Sequence, residues 1–285
     1  MHVKLGVKLL NYTQQANEMI QESFGISYVS QGFDTRKHKR SVQFASGRIV
    51  TLEELGLEKD PAIGEVIPGY TKDDKHVAKI IPSSAEIFVK FLITIGHWKP
   101  LETVNATFLV SGISRKTALH FVRYSFLTTN FRSQKYLNQA DFEYVLPEEG
   151  EEKPEVIRYL KQCYAEHQAQ YERLRSMNAD PEWARVVLPN GTAQTMSIST
   201  NIRQFRHLFD CLCAEEYVSE NQRLAMAMFK SLREVLPAFF FDFVTSPDGK
   251  RAWREKLDRN VKVNFSLDNA ARKEFGLFVE NGEKK

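Results

Sequence analysis

Two periods of apolar spacing alternate along the chain and predict a mixed fold. Val3–Tyr12 is apolar with Lys4 and Lys8 interspersed, and predicts a first strand. Thr13 is placed to cap a helix in which Ala16, Met19, Ile20 and Phe24 keep helical spacing, with Gly25 at its end. Ile87, Phe88, Phe91 and Leu92 mark one face of a helix over Ala85–Ile95, opened by Pro82-Ser83-Ser84 and stopped by Gly96. Ala106–Ser111 predicts a strand, Gly112 a turn, and Ser114 the cap of a helix from Arg115 to about Arg123, which runs into an extended segment. Pro154 opens a long helix to about Met177, with Ile157, Leu160, Cys163 and Tyr164 inward. A short helix from Pro181 carries Arg185, Asn190-Gly191 is a turn, and Thr192–Thr200 alternates as a strand. Phe205, Leu208, Phe209 and Leu212 give a helix over Ile202–Cys213 its core face, and Leu224, Met228 and Leu232 do so for Ser219–Val235. The aromatic run Ala238–Phe243 is expected to pack on the core.

Ser30 to about Pro82 differs in character. Its glycines, Pro61 and Pro68 leave little sustained period, and a short helix at Thr51–Leu57 is the one element expected there. The basic run Arg36–Arg40 reads first as a solvated loop and second as a phosphate or nucleic-acid contact.

A chain of 285 residues can bury a full core, and 42% apolar with 26% charged residues is ordinary for a soluble globular protein. The net charge of +3 is too small to bind nucleic acid by bulk field, so any anion site must be local. Cys163, Cys211 and Cys213 form no full disulfide framework, no apolar run approaches a membrane span, and the first residues lack a signal-peptide core; a cytoplasmic protein is expected.

The candidate chemistry gathers in Phe121–Tyr136. Arg123, Arg132 and Lys135 occur there without a carboxylate, among Ser125, Thr128, Thr129, Asn130 and Ser133. Cations with short hydrogen-bond donors suit phosphate oxygens. Flanking aromatics, Tyr124 and Phe126 among them, suit the face of a flat heterocycle. A half-buried strand with a solvated basic edge has the same composition.

In this order, several pieces resemble the flavin-dependent thymidylate synthases. VKLLNYT with its helix and ISYVS is similar to that family's first strand, helix and serine, and Gly96-His97 through Glu102-Thr103 to its Gly-His element. The strand and Ser-Arg helix follow at Phe108–Arg115. The family's Arg-His-Arg signature falls on Arg123-Tyr124-Ser125, continuing through Thr128, Asn130-Phe131, Ser133 and Lys135-Tyr136. Phe142–Pro147, Ala184–Pro189 and Asn201-Ile202-Arg203 match later family segments, so the likeness spans about Val3–Pro237, with 31–82 as a long insertion.

The resemblance implies an α+β fold with a mostly antiparallel central sheet flanked by helices, assembled as a homotetramer. It implies one domain over 1–245 and a charged extension over 246–285. It implies FAD, with NADPH and methylenetetrahydrofolate as co-substrates, and one-carbon transfer to C5 of dUMP or a related pyrimidine nucleotide. His120, Arg123, Ser133, Lys135 and Arg185 would hold the nucleotide; Ser30, His97, Arg123, Asn201 and His207 would face the flavin. The chain departs from the pattern where Tyr124 and Ser125 replace a His and an Arg, Phe131 a Glu, and Lys135 an Arg. The family's ring-orienting Arg late in the inner helix falls on Leu212, a place with no cation. A nucleotide-binding or assembly protein with impaired catalysis is the alternative reading.

Overall fold

The computed structural model describes residues 1–24, 39–44, 46, 48–58, 61, 63, 65–67, 76–133, 139–148, 153–214 and 219–255. In chain order the elements are β1 (Gly6–Tyr12), α1 (Ala16–Phe24), β2 (Ser41–Phe44), β3 (Ile49–Thr51), β4 (Val77–Ile81), α2 (Ser84–Thr94), β5 (Asn105–Ser114), α3 (Arg115–Val122) and β6 (Thr128–Phe131). There follow α4 (Pro154–Ser176), α5 (Pro181–Ala184), β7 (Ala193–Asn201), α6 (Ile202–Leu212), α7 (Glu220–Val235), β8 (Phe243–Thr245) and β9 (Ala252–Arg254). Two compact units emerge: Met1–Gln14 with Leu101–Glu255, and Gln15–Pro100.

In the first unit β1, β5, β7 and β6 lie in that order and pair antiparallel. The period-2 pattern sends Ala106, Phe108, Val110, Met196 and Ile198 to one buried face. α6 packs there, with Phe205 edge-on to Phe108 at 5.6 Å. Phe209, Phe229, Phe240 and Phe243 interlock beside it with ring centroids 5.4–5.9 Å apart, so the aromatic run after α7 does pack on the core. Gly112 does not end β5. Its φ of +66° bulges the strand, and a Cβ there would stand 1.9 Å from the Lys4 carbonyl oxygen. Phe142–Leu146 forms isolated bridges through Tyr144 rather than a strand, and buries Phe142 and Leu146 against Tyr164 of α4.

The second unit holds what periodicity missed. β3, β2 and β4 form an antiparallel sheet over a separate core of Val42, Phe44, Val50, Ile67 and Val77. The helix expected at Thr51–Leu57 is instead a series of turns: Thr51 and Glu54 exchange capping bonds, but Gly56 at φ +66° follows before a helix can extend. Arg36, Lys37 and His38 of the basic run lie outside the described residues. Its last two cations are committed, Lys39 to Glu53 and Arg40 to Glu86, the residue that closes the capping box of α2.

Candidate functional site

Ser114 accepts the Thr117 N–H at 3.1 Å and starts α3, which buries Thr117, Ala118 and Phe121. That rotation leaves His120 half-buried on the last turn and puts Arg123 at the C-cap. The chain then turns, with Leu127 N–H on the Tyr124 carbonyl, and the Thr200 hydroxyl holds the Phe126 carbonyl at 2.8 Å. These anchors line up four rings. His120 and Tyr124 lie 5.6 Å apart, with Nε2 and the phenol oxygen at 3.4 Å; Tyr124 and Phe126 lie at 5.5 Å, and Phe126 and His207 at 5.6 Å. His207 projects from the exposed face of α6, one turn before Cys211, whose sulfur is 3.9 Å from its ring. Burial, and then the Asp210 carboxylate, push the Cys211 thiol above its ordinary range.

Two cations follow in the same segment, Arg123 at the end of α3 and Arg132 past the end of β6. Arg123 and Arg132 are exposed, and neither side chain forms an ion pair or hydrogen bond among the described residues. Ser133, also exposed, follows Arg132 directly. Asn201 caps α6 by accepting the Gln204 N–H at 3.0 Å, and Arg203 pairs with Glu102. The structure thus joins His120 to His207 through two rings, with Arg123 at the helix end between His120 and Tyr124 in the chain. Arg185 stands apart from them: it follows α5, with its guanidinium on Glu182 at 3.2 Å, and no described bond or ring contact ties it to the strip. His97 belongs to the other unit. Its N–H closes α2 on the Leu92 carbonyl while Gly96, at φ +77°, bonds Ile93, so its backbone acts as a helix stop. Ser30 and Lys135 lie outside the described residues.

Leu212 follows its core spacing. It is 2% exposed, on the inner face of α6 with Leu208 and Phe209, so the place of the missing Arg is a core position in this chain. Arg206 went unread among the candidates. It is 2% exposed, forks onto both oxygens of Asp242 at 2.8 and 2.6 Å, donates to the Phe239 carbonyl and lies over the Phe243 ring. A cation one residue past the core position Phe205 carries no sequence signal for this; the partner is 36 residues away.

A family model described as thymidylate synthase complementing protein matches residues 8–238. Flavin-dependent thymidylate synthase of Mycobacteroides abscessus is 30% identical over 181 residues, covering 58% of this chain and 72% of that one. The chain belongs to the flavin-dependent thymidylate synthase family. Another relative in that family, from Mycobacterium marinum, is 30% identical over 191 residues, with coverages of 61% and 76%. A crystal structure of the UMP/dUMP methylase PolB from Streptomyces cacaoi, bound with 5-Br dUMP, aligns with a TM-score of 0.58 over 84% of this chain and 93% of that one. At 16% identity this likeness shows the fold alone: helices around an antiparallel sheet, as in the family.

Proposed function

We propose that the chain is an FAD-dependent methyltransferase of the thymidylate synthase type, acting at C5 of dUMP or a related pyrimidine nucleotide. The single observation that carries this is the strip His120–Tyr124–Phe126–His207, with Arg123 in the same segment and forming no side-chain bond among the described residues. Flat rings offer stacking faces to a flavin or a pyrimidine, and the imidazoles offer donors at either end. Bound FAD supplies the reducing equivalent, with NADPH recharging it and methylenetetrahydrofolate giving the one-carbon unit. The chain's own part is to bind and orient. Arg123, Ser133, Lys135 and Arg185 take the nucleotide phosphate and sugar, with His120 beside the nucleotide. Ser30, His97, Arg123, Asn201 and His207 take the flavin, Asn201 while also capping α6. A homotetramer in the cytoplasm, the family's arrangement, would bring residues from different copies together.

The second reading, a nucleotide-binding member without turnover, is favoured by one observation. The described cations along the outer face of α6 are both taken by carboxylates: Arg203 at its start pairs with Glu102, and Arg254, whose charge reaches Cys211, pairs with Asp210. The absorbance spectrum of the purified protein with added FAD and dUMP, with release of the C5 proton, separates the two. A flavin spectrum that dUMP perturbs, with proton release, supports the enzyme. Nucleotide binding to a colourless protein supports the second reading. Arg185→Ala is expected to weaken dUMP by roughly ten-fold or more; unchanged affinity in calorimetry removes that residue from the site.

A further inference from the structure

A hollow lies in the first unit, and none of its lining residues belongs to the ring strip. It encloses about 710 Å³, within the size range of small-molecule sites. Three walls build it. The approach to β1 supplies Val3, Lys4 and Leu5, held by the Val3 N–H on the Tyr144 carbonyl and seated against Gly112, where any side chain would collide. Val145–Pro147 forms the second wall. The first two turns of α4 form the third, because Pro154, Ile157, Arg158 and Lys161 follow the three- and four-residue steps that share a helix face. A smaller hollow of about 350 Å³ continues from it past Leu160 and Tyr164.

The chemistry of the lining is uneven. The floor is aliphatic: Val3, Leu5, Leu146 and Ile157 are buried or half-buried. The acids at one end are spoken for. Glu220 accepts both the Ser114 N–H at 2.5 Å and its hydroxyl at 2.7 Å, and Glu148 faces Arg223 at 3.4 Å. Lys4, Arg158 and Lys161 are exposed and form no ion pair or side-chain hydrogen bond among the described residues. α4 starts beside them without a side-chain cap, which adds the positive end of a helix dipole.

We infer that this groove binds an aliphatic anion: an acyl or alkyl chain of on the order of ten carbons on the floor, and a carboxylate or phosphate head on Arg158, Lys161 and Lys4. The floor is aliphatic, and His2, the one aromatic ring among its lining residues, lies against Tyr144 at 6.3 Å, which favours a chain over a flat heterocycle; this ligand class is distinct from the nucleotide proposed above, and the inference does not rest on that proposal. The test is calorimetry on the full chain with decanoate, decyl phosphate, decanol and inorganic phosphate. Decanoate or decyl phosphate should bind one to one, and decanol and phosphate at least roughly ten-fold more weakly. Tighter binding of one amphiphile assigns the head group. Arg158→Gln with Lys161→Gln should weaken the amphiphile by roughly ten-fold or more with an unchanged melting temperature, since both side chains are exposed. Saturating dUMP should not displace it. No heat with either amphiphile, binding unaltered in the double variant, or displacement by dUMP would each overturn the inference.

Discussion

At Leu212 two sequence signals disagreed, and burial decided between them. Spacing with Phe205, Leu208 and Phe209 put this residue in the core; alignment with the family put a ring-facing Arg there. The 2% exposure follows the spacing. Leu212→Arg is therefore expected to bury an unpaired cation and to lower stability by at least about 3 kcal/mol, read by urea unfolding. A stable variant with stronger dUMP binding would instead restore the family role. The neighbouring Cys211 is exposed, yet burial of its thiol and the Asp210 charge both disfavour the thiolate. Because the shift is upward, alkylation by iodoacetamide should stay slow at neutral pH. It should rise only at a pH above that of a free thiol, in a comparison against Cys211→Ser. Of the expected site residues, His120 and His207 were named from their places in the family's segments, and ring contacts through Tyr124 and Phe126 join them. The contact between Phe126 and His207 was not legible, since it joins segments 81 residues apart through a turn.

Elements were legible in proportion to their length. α2, α4, α6 and α7 repeat their apolar positions over three or more turns; Ser83, Asn201 and Ser219 cap three of them, and α4 starts at Pro154 without a side-chain cap. β2, β3 and β4 span three to five residues each, too few for an alternation to rise above chance composition. The pairing of α6 with the segment after α7 was also hidden, because it rests on Arg206 and Asp242, both buried. Asp242→Ala should cost roughly 3–5 kcal/mol by leaving the guanidinium without its counter-charge. Arg206→Met combined with Asp242→Leu should recover much of that loss in the same unfolding assay; full additivity of the two single changes would show the pair is not coupled. At the bulge in β5, Gly112→Ala must displace the Lys4 backbone or leave the left-handed region, and a loss of about 1–3 kcal/mol or more is expected in thermal melts.

For the molecule as a whole, the family fold was legible from co-linear segments, although the signature motif itself was not intact. What the resemblance could not say was how residues 31–82, expected as an insertion, fold; their described part forms a sheet with a core of its own. Excising residues 41–81 and joining Arg40 to Pro82 through two glycines should leave FAD and dUMP binding within about two-fold, because the entropy of closing a loop changes only slowly with its length. Loss of both ligands in a folded variant would assign the insertion a part in the site.

Ser41 and Ile81 face each other as cross-strand partners, so the chain enters this small sheet and leaves it at adjacent points. A segment with such closely spaced ends asks for no rearrangement of what flanks it. It can be lengthened, exchanged for a reporter or taken from one homologue to another as a cassette, with the two residues at its doorway as the only seam to be tailored.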